Sequence, residues 1–268
     1  MLYGAILGDI IGSAYEFDNG NKSRVFPLFS PASTFTDDTV MTIAIAQAAI
    51  KWKKENLRPD EFKEAVIDSM KKWGKLYPNA GYGFRFFSWV LGEDRKPYNS
   101  WGNGAAMRVS PCAYMDDHSG NIKDFAEISA AVTHNHPEGI KAARAEAEMI
   151  YEAKQHKPMD ELRRTAEILY GKLKTLEEIR PGYYHQEDCM HTMPEAFECF
   201  LESNDFESCI RNVMYIGGDT DTLGAIAGAI AEAYYGIPEE LIGKCRNRLP
   251  QAMLDVIDEF EELFKDNK

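Results

Sequence analysis

Two short stretches of this 268-residue chain concentrate oxygen donors. The first, TFTDDTVMT (34–42), sets Asp37 and Asp38 side by side between Thr36 and Thr39. The second, YIGGDTDTLGAIAG (215–228), alternates Asp219 and Asp221 with Thr220 and Thr222. Each runs into an apolar segment, so carboxylates and hydroxyls stand twice at the start of a buried helix. Capping is one use for them, because Asp and Thr accept from the free N–H groups of a first turn and a carboxylate there gains from the helix dipole. One cap needs one such residue, however. Two close carboxylates, twice over, exceed that need and repel one another without a cation. Hard oxygen donors suit Mg2+, Mn2+ or Ca2+ rather than zinc. If the clusters are halves of one metal site, the helices behind them should pack side by side with their N-termini at the same end.

Other stretches carry weaker chemistry. In SWGNGAAMR (100–108), Gly102 and Gly104 let the backbone approach a ligand, and consecutive N–H groups can cradle a diphosphate; an ordinary glycine turn is the alternative. His134 and His136 form an H-x-H pair, but a zinc site needs further ligands of the right kind nearby, so His136 reads as a surface or capping residue. HQEDCMH (185–191) sits in loop-like sequence and receives no role. The D-x-D-x-T pattern after VMYI also resembles the nucleophile motif of haloacid-dehalogenase-type phosphatases. That motif ends the first strand of a doubly wound sheet, whereas here helix follows and no room remains for further α/β units.

The elements that must position these groups read as helices. Residues 2–15 are apolar, with Gly4, Gly8 and Gly12 on one face where another helix can approach closely. Further helices are expected over 38–53, 60–73, 122–133, 137–154, 159–173, 194–202, 205–214, 222–235 and 250–265, from apolar stripes, first-turn Pro137 and the stops at Gly236 and Pro238. Strand alternation is absent. Segments 17–35, 76–106 and 174–190 read as irregular, and loops this long in a helical domain are often functional. The aromatics of 82–101 are core by default, with one or two available to stack on a base.

With 44% hydrophobic residues the chain can bury one sizeable core. A formal net charge of −13 disfavours general binding to nucleic acids, which rests on phosphate neutralisation, and gives no attraction to anionic membranes. The five cysteines include no C-x-x-C pair, which fits a reduced, cytoplasmic protein. Asp9 interrupts the apolar N-terminal run, which is too short to span a membrane.

Four blocks, in order, resemble the ADP-ribosylglycohydrolase family, which includes the dinitrogenase-reductase-activating glycohydrolase and the ADP-ribosyl-arginine and ADP-ribosyl-serine hydrolases. They are GAILGDIIGSAYEF (4–17), FTDDT (35–39), GNGAAMRVSP (102–111) with THNHPEG (133–139), and GGDTDTLGAIAGAIAEAYYG (217–236). The resemblance implies one all-α domain over 1–268, with orthogonally packed helices around a cleft that binds two Mg2+ (or Mn2+) ions. It assigns Thr36, Asp37 and Asp38 to one ion, and Asp219, Asp221 and Thr222 to completing the pair, with Asp221 bridging. Glu16 matches a glutamate near the metals and the scissile bond; without the resemblance it reads as a solvated helix-end acid. Catalysis would thus fall to Glu16, Asp37, Asp38 and Asp221. ADP-ribose would lie along Gly102, Asn103, Gly104, Ala105, Ala106, Met107 and His134, while Arg108 reads as structural. The implied activity is hydrolysis of a bond between ADP-ribose and a protein side chain or small molecule, by a monomer. A non-catalytic ADP-ribose-binding relative and a dimetal phosphoesterase are the alternatives. The acceptor is not legible, because its contacts fall on variable loops.

Overall fold

The computed structural model describes residues 1–17, 22–116 and 118–265; the rest of the expected 17–35 loop, residues 18–21, lies outside them. The N-terminal run folds as α1 (Tyr3–Gly12), buried along its whole length. After it come α2 (Asp37–Glu55), α3 (Pro59–Leu76), α4 (Phe84–Leu91), α5 (Ser119–Ala131), α6 (Pro137–Lys154) and α7 (Met159–Tyr170). A single turn, α8 (Leu176–Ile179), precedes α9 (Cys189–Leu201), α10 (Phe206–Ile216), α11 (Thr220–Tyr235), α12 (Glu239–Arg246) and α13 (Gln251–Phe264). Among the described residues there is no strand, only an isolated bridge between Gly102 and Asp188. The expected all-α architecture is what forms, and none of these helices is long and apolar enough to cross a membrane.

At the centre, α1 packs against α11, backbone on backbone. A Cβ added to Gly8 would sit 1.9 Å from the Gly224 carbonyl oxygen; one on Gly4 or Gly12 would lie 2.2 Å from the carbonyl oxygen of Gly228 or Thr220. The pairing order makes the two helices antiparallel. The C-terminal end of α1 therefore meets the N-terminal end of α11, which is where Glu16 and the second acidic cluster begin. Thr220 Oγ1 secures that junction by donating to the Gly12 carbonyl at 2.8 Å.

Here the structure corrects one expectation. The helices behind the two acidic clusters do converge at their N-termini, but they do not lie side by side. α11 runs along α1, while α2 runs along α3 and α13 and touches α11 far less extensively. α1 supplies the link between them. The N-terminal apolar run was legible as a close-packing helix; its partner was not, because a glycine face does not specify which helix fills it.

α4, α12 and the single turn α8 were missed, and α9 was cut short. α4 lies in the stretch read as irregular; its buried Phe86, Trp89 and Val90 make one stripe, but eight residues are too few to show a period. α12 is equally short, with Leu241 and Cys245 one turn apart as its buried pair. α9 starts five residues before Pro194, because Asp188 caps it by accepting from the His191 N–H. All five cysteines are free and buried.

Candidate active site: an acidic cleft

Asp9 explains why the two aspartates that open α2 are free. It is fully buried on α1 and accepts from the Thr36 N–H at 2.9 Å, the Thr36 hydroxyl at 2.8 Å, the Thr39 N–H at 3.0 Å and the Thr39 hydroxyl. Those N–H groups belong to the start of α2, so a residue of another helix shares the capping with Thr36, whose Oγ1 accepts from the Asp38 N–H at 3.4 Å. Asp37 and Asp38 are left to point elsewhere, and Asp38 Oδ1 is buried with no hydrogen-bond partner. The same holds on α11. Asp219 occupies the N-cap position but makes no side-chain capping bond; its Oδ2 accepts from Asn103 Nδ2 at 2.7 Å. Asp221 Oδ1 does accept from the Thr222 N–H at 2.9 Å, but capping leaves the carboxylates of Asp37, Asp38 and Asp219 unexplained.

The clusters meet across helices. Thr222 Oγ1 on α11 donates to Asp38 Oδ2 on α2 at 3.3 Å. Thr36, Asp37, Asp38, Asp219, Asp221 and Thr222 line one cleft of about 470 Å3, and Glu16 stands at its edge. No lysine or arginine among the described residues forms an ion pair with any of these acids. Burial first, and then the charge of Asp221, pushes the Asp9 carboxyl up to about 7 and Glu16 up to about 8. The same two causes hold Asp37, Asp38 and Asp219 well above the usual carboxylate range. A crowd of buried acids, one oxygen orphaned and no cation of the protein's own, fits divalent metal ions held by oxygen.

The glycine loop borders the same cleft, held by a segment to which the sequence assigned no role. The Asn103 N–H donates to the Glu187 carbonyl at 2.8 Å, and the Cys189 N–H to the Trp101 carbonyl at 3.0 Å. Asn103 also donates to Thr192 Oγ1 at 3.2 Å, so its side chain braces the loop against Asp219 and α9. Of the loop's N–H groups, Gly102's goes to Ser100 Oγ at 3.2 Å. The Ala105 N–H turns back toward the Gly102 carbonyl in a single 3-10 turn, Asn103–Ala105, and that of Gly104 has no backbone acceptor among the described residues. Gly102, Asn103, Gly104 and Met107 line the cleft, whereas the Ala105 and Ala106 side chains are turned into the core. His134 packs beneath the loop, its Nε2 3.3 Å from where a Gly104 Cβ would stand. Burial, then Arg108 and Arg85, holds its imidazole well below the usual histidine range, and hence neutral. Arg108 is structural: fully buried, it donates to the Gly104 and Ser129 carbonyls and to Thr133 Oγ1. His136 caps α6, accepting from the Glu138 N–H at 3.2 Å.

The sequence reading passed over Asp9, His185, Glu187 and Arg85. A lone acid in an apolar, glycine-spaced helix was the available signal for Asp9, since a buried charge requires partners. His185, Glu187 and Arg85 line the cleft from irregular sequence or from the short α4, with no pattern to mark them.

Two acidic helix mouths, a glutamate and a braced glycine loop around one cleft call for comparison with known proteins. The model of the ADP-ribosylglycohydrolase family matches residues 1–268. The chain belongs to the ADP-ribosylglycohydrolase family. Human ADP-ribosylhydrolase ARH3 is 27% identical over 91% of this chain and 87% of its own length. The ADP-ribosyl-dinitrogen-reductase glycohydrolase of Rhodospirillum rubrum is 26% identical over 88% of this chain and 84% of its own. The ADP-ribosylarginine hydrolase Tri1 of Pseudomonas putida is 23% identical over 98% and 79%. Among solved structures, an ADP-ribosylglycohydrolase-related protein superposes with a TM-score of 0.72 at 22% identity, over 99% of this chain and 95% of that one. The chain therefore shares the fold of that structure over nearly its whole length.

Proposed function

We propose that the protein is a metal-dependent hydrolase that cleaves the glycosidic bond between ADP-ribose and an acceptor, a protein side chain or small molecule, releasing ADP-ribose. The observation that carries the reading is the set of carboxylates, Asp37 and Asp38 among them relieved of capping by Asp9, that faces a cleft shared with the 102–107 loop. Asp37, Asp38, Asp219 and Asp221, with the hydroxyls of Thr36 and Thr222, would hold two Mg2+ (or Mn2+) ions. When bound, such ions supply Lewis-acid polarisation of oxygen and make water a better nucleophile at neutral pH.

The chain's own groups do the rest. The Thr36 proton is committed to Asp9 at 2.8 Å and one lone pair faces the Asp38 N–H at 3.4 Å, which leaves the other for the cleft. Glu16 reaches the edge of the acidic end, where a carboxyl can carry a proton to or from the scissile oxygen or nitrogen. The Gly104 N–H at the start of the 3-10 turn, with neutral His134 behind it, suits a phosphate oxygen of a diphosphate. Arg85 lines the cleft beside them and adds positive charge. Of the aromatics of 82–101, Phe84, exposed in the cleft, and Trp101, exposed in the adjoining hollow beside Arg85 and Gly102, offer faces on which adenine would stack.

The test is a panel of ADP-ribosylated arginine, ADP-ribosylated serine, an ADP-ribosylated oligonucleotide end and plain phosphodiesters, with free ADP-ribose quantified. Release from a protein-type adduct is expected, abolished by EDTA, restored by Mg2+ or Mn2+ and not by zinc. Phosphodiester cleavage without ADP-ribose release, or full activity in protein shown by elemental analysis to be metal-free, would overturn the reading.

A further inference from the structure

Positive charge collects where the segment between α1 and α2 meets α8 and α10, outside the acidic cluster and on a molecule whose net charge is −13. Arg24 and Arg180 both lie over the Tyr215 ring, their Cζ atoms 3.7 and 4.7 Å from its centroid. Arg180 Nη2 donates to the Lys22 carbonyl at 3.1 Å, and the Lys22 ammonium donates to the Tyr183 carbonyl. Arg211 Nη1 donates to the Arg24 and Phe26 carbonyls at 2.8 and 3.0 Å. Backbone carbonyls thus hold these cations in place without cancelling their charge. The acids that pair with them among the described residues are Glu177, 3.7 Å from Arg24, and Glu207, 2.7 Å from Arg211. Lys22 and Arg180 form no ion pair among the described residues, so positive charge is in excess. The cluster borders the cleft. Tyr183, held by the Lys22 ammonium, is followed by exposed Tyr184 and then by His185 in the cleft wall. Phe17, also exposed, stacks on His185 with ring centroids 4.8 Å apart. Arginine beside exposed tyrosine and phenylalanine is the composition of protein-binding surfaces.

We propose that this surface docks an acidic segment of the ADP-ribosylated target protein, flanking the side chain that carries the adduct. Charge complementarity selects the occupant. The net negative charge of the molecule repels an acidic partner elsewhere, whereas Lys22, Arg24 and Arg180 attract it here, beside the cleft. The cations are held before the partner arrives, so little ordering cost opposes docking. Exposed Phe17, Val25 and Tyr184 add apolar faces for a peptide's side chains, which a run of phosphates would not use. The identity of the partner rests on the hydrolase reading; the attraction of the surface for carboxylates does not.

The experiment uses the full chain with Mg2+ and peptides of equal length, rich in Asp and Glu, in Ser and Gly, or in Lys. Each peptide is used unmodified, for binding by fluorescence anisotropy, and ADP-ribosylated at one central arginine or serine, for kcat/KM. Wild type should bind the acidic peptide more tightly than the others, and less so as salt is raised. Lys22→Gln combined with Arg24→Gln should weaken that binding at least about 5-fold, as the loss of a pair of rim charges would, and should raise KM for the acidic adduct alone. Glu177→Gln, which removes the acid beside Arg24, should tighten it at least about 2-fold, a gain that misfolding does not mimic. An ADP-ribosylated free amino acid, too small to reach the surface, should be cleaved by every variant at the wild-type rate. Equal wild-type binding of the acidic and Lys-rich peptides, or unchanged acidic-peptide affinity in both variants, overturns the proposal, as does tighter binding of an oligonucleotide than of the acidic peptide. If no adduct is hydrolysed, the hydrolase reading fails, and peptide binding still decides this surface.

Discussion

Asp9 and Asp37 are both acids at the mouth of α2, yet their removal should have opposite consequences. Asp9 satisfies the N–H and hydroxyl groups of Thr36 and Thr39 in a fully buried setting. Asp9→Ala strands those donors, at about 1–3 kcal/mol for each unsatisfied group. Urea denaturation of the metal-free protein should show a loss of several kcal/mol. Asp37 and Asp38 accept no such capping bonds and are raised by burial first and then by the charges of Asp221 and Asp9. Asp37→Ala, Asp38→Ala and Asp221→Ala should keep or slightly raise metal-free stability while lowering turnover by on the order of 100-fold or more, as when a major electrostatic contributor is removed. Parallel denaturation and initial-rate measurements separate the two classes; a large stability loss for Asp37→Ala would make that residue structural.

The α1–α11 contact is the element on which the site hangs. Gly8 and Gly224 touch through their backbones, and neither tolerates a Cβ unless the helices move apart. Gly8→Ala should therefore cost about 3 kcal/mol, the upper part of the range for overpacking a core. It should also weaken Mg2+ binding, because it shifts the mouth of α11 away from the end of α1 and from Asp9. Calorimetric Mg2+ affinity is the discriminating readout: unchanged affinity would mean that α11 is positioned by α9 and α10 instead. A glycine with open space around it, such as Gly243, serves as the control and should tolerate alanine.

For the whole molecule, the carboxyl crowd sets a pH dependence whose sign follows from the folded-state values. Asp9 and Glu16 titrate near 7 and 8 in the folded protein and near 4 in an unfolded chain, so the folded state holds more protons between those limits. Stability of the metal-free protein must then fall as pH rises through this window. Differential scanning calorimetry should give a Tm at pH 8 at least about 4 °C below that at pH 5. Mg2+ at 100 times its Kd should restore about 2.7 kcal/mol, and more effectively at pH 8, where protons no longer compete. A metal-free Tm that rises from pH 5 to pH 8 would contradict the charge crowding. The net charge of −13 acts at the same scale: an ADP-ribosylated oligonucleotide should be cleaved more slowly than a protein adduct at physiological salt.

Read alone, the sequence determined the helical class, the close-packing face of residues 2–15 and the two acidic mouths. Each follows from local chemistry: period, glycine spacing, and more carboxylates than a cap requires. It also placed Glu16, the 102–107 loop and His134 in one functional set, through resemblance. Tertiary structure alone decided that α11 lies on α1 rather than beside α2, because helix pairing depends on which surfaces meet and not on either helix's pattern. It alone gave Asp9 the capping role, since the donors it satisfies lie 27 and 30 residues away. His185, Glu187 and Arg85 acquired meaning in the same way. They sit in irregular or short segments without periodicity, and only the folding of those segments against the glycine loop turns them toward the cleft.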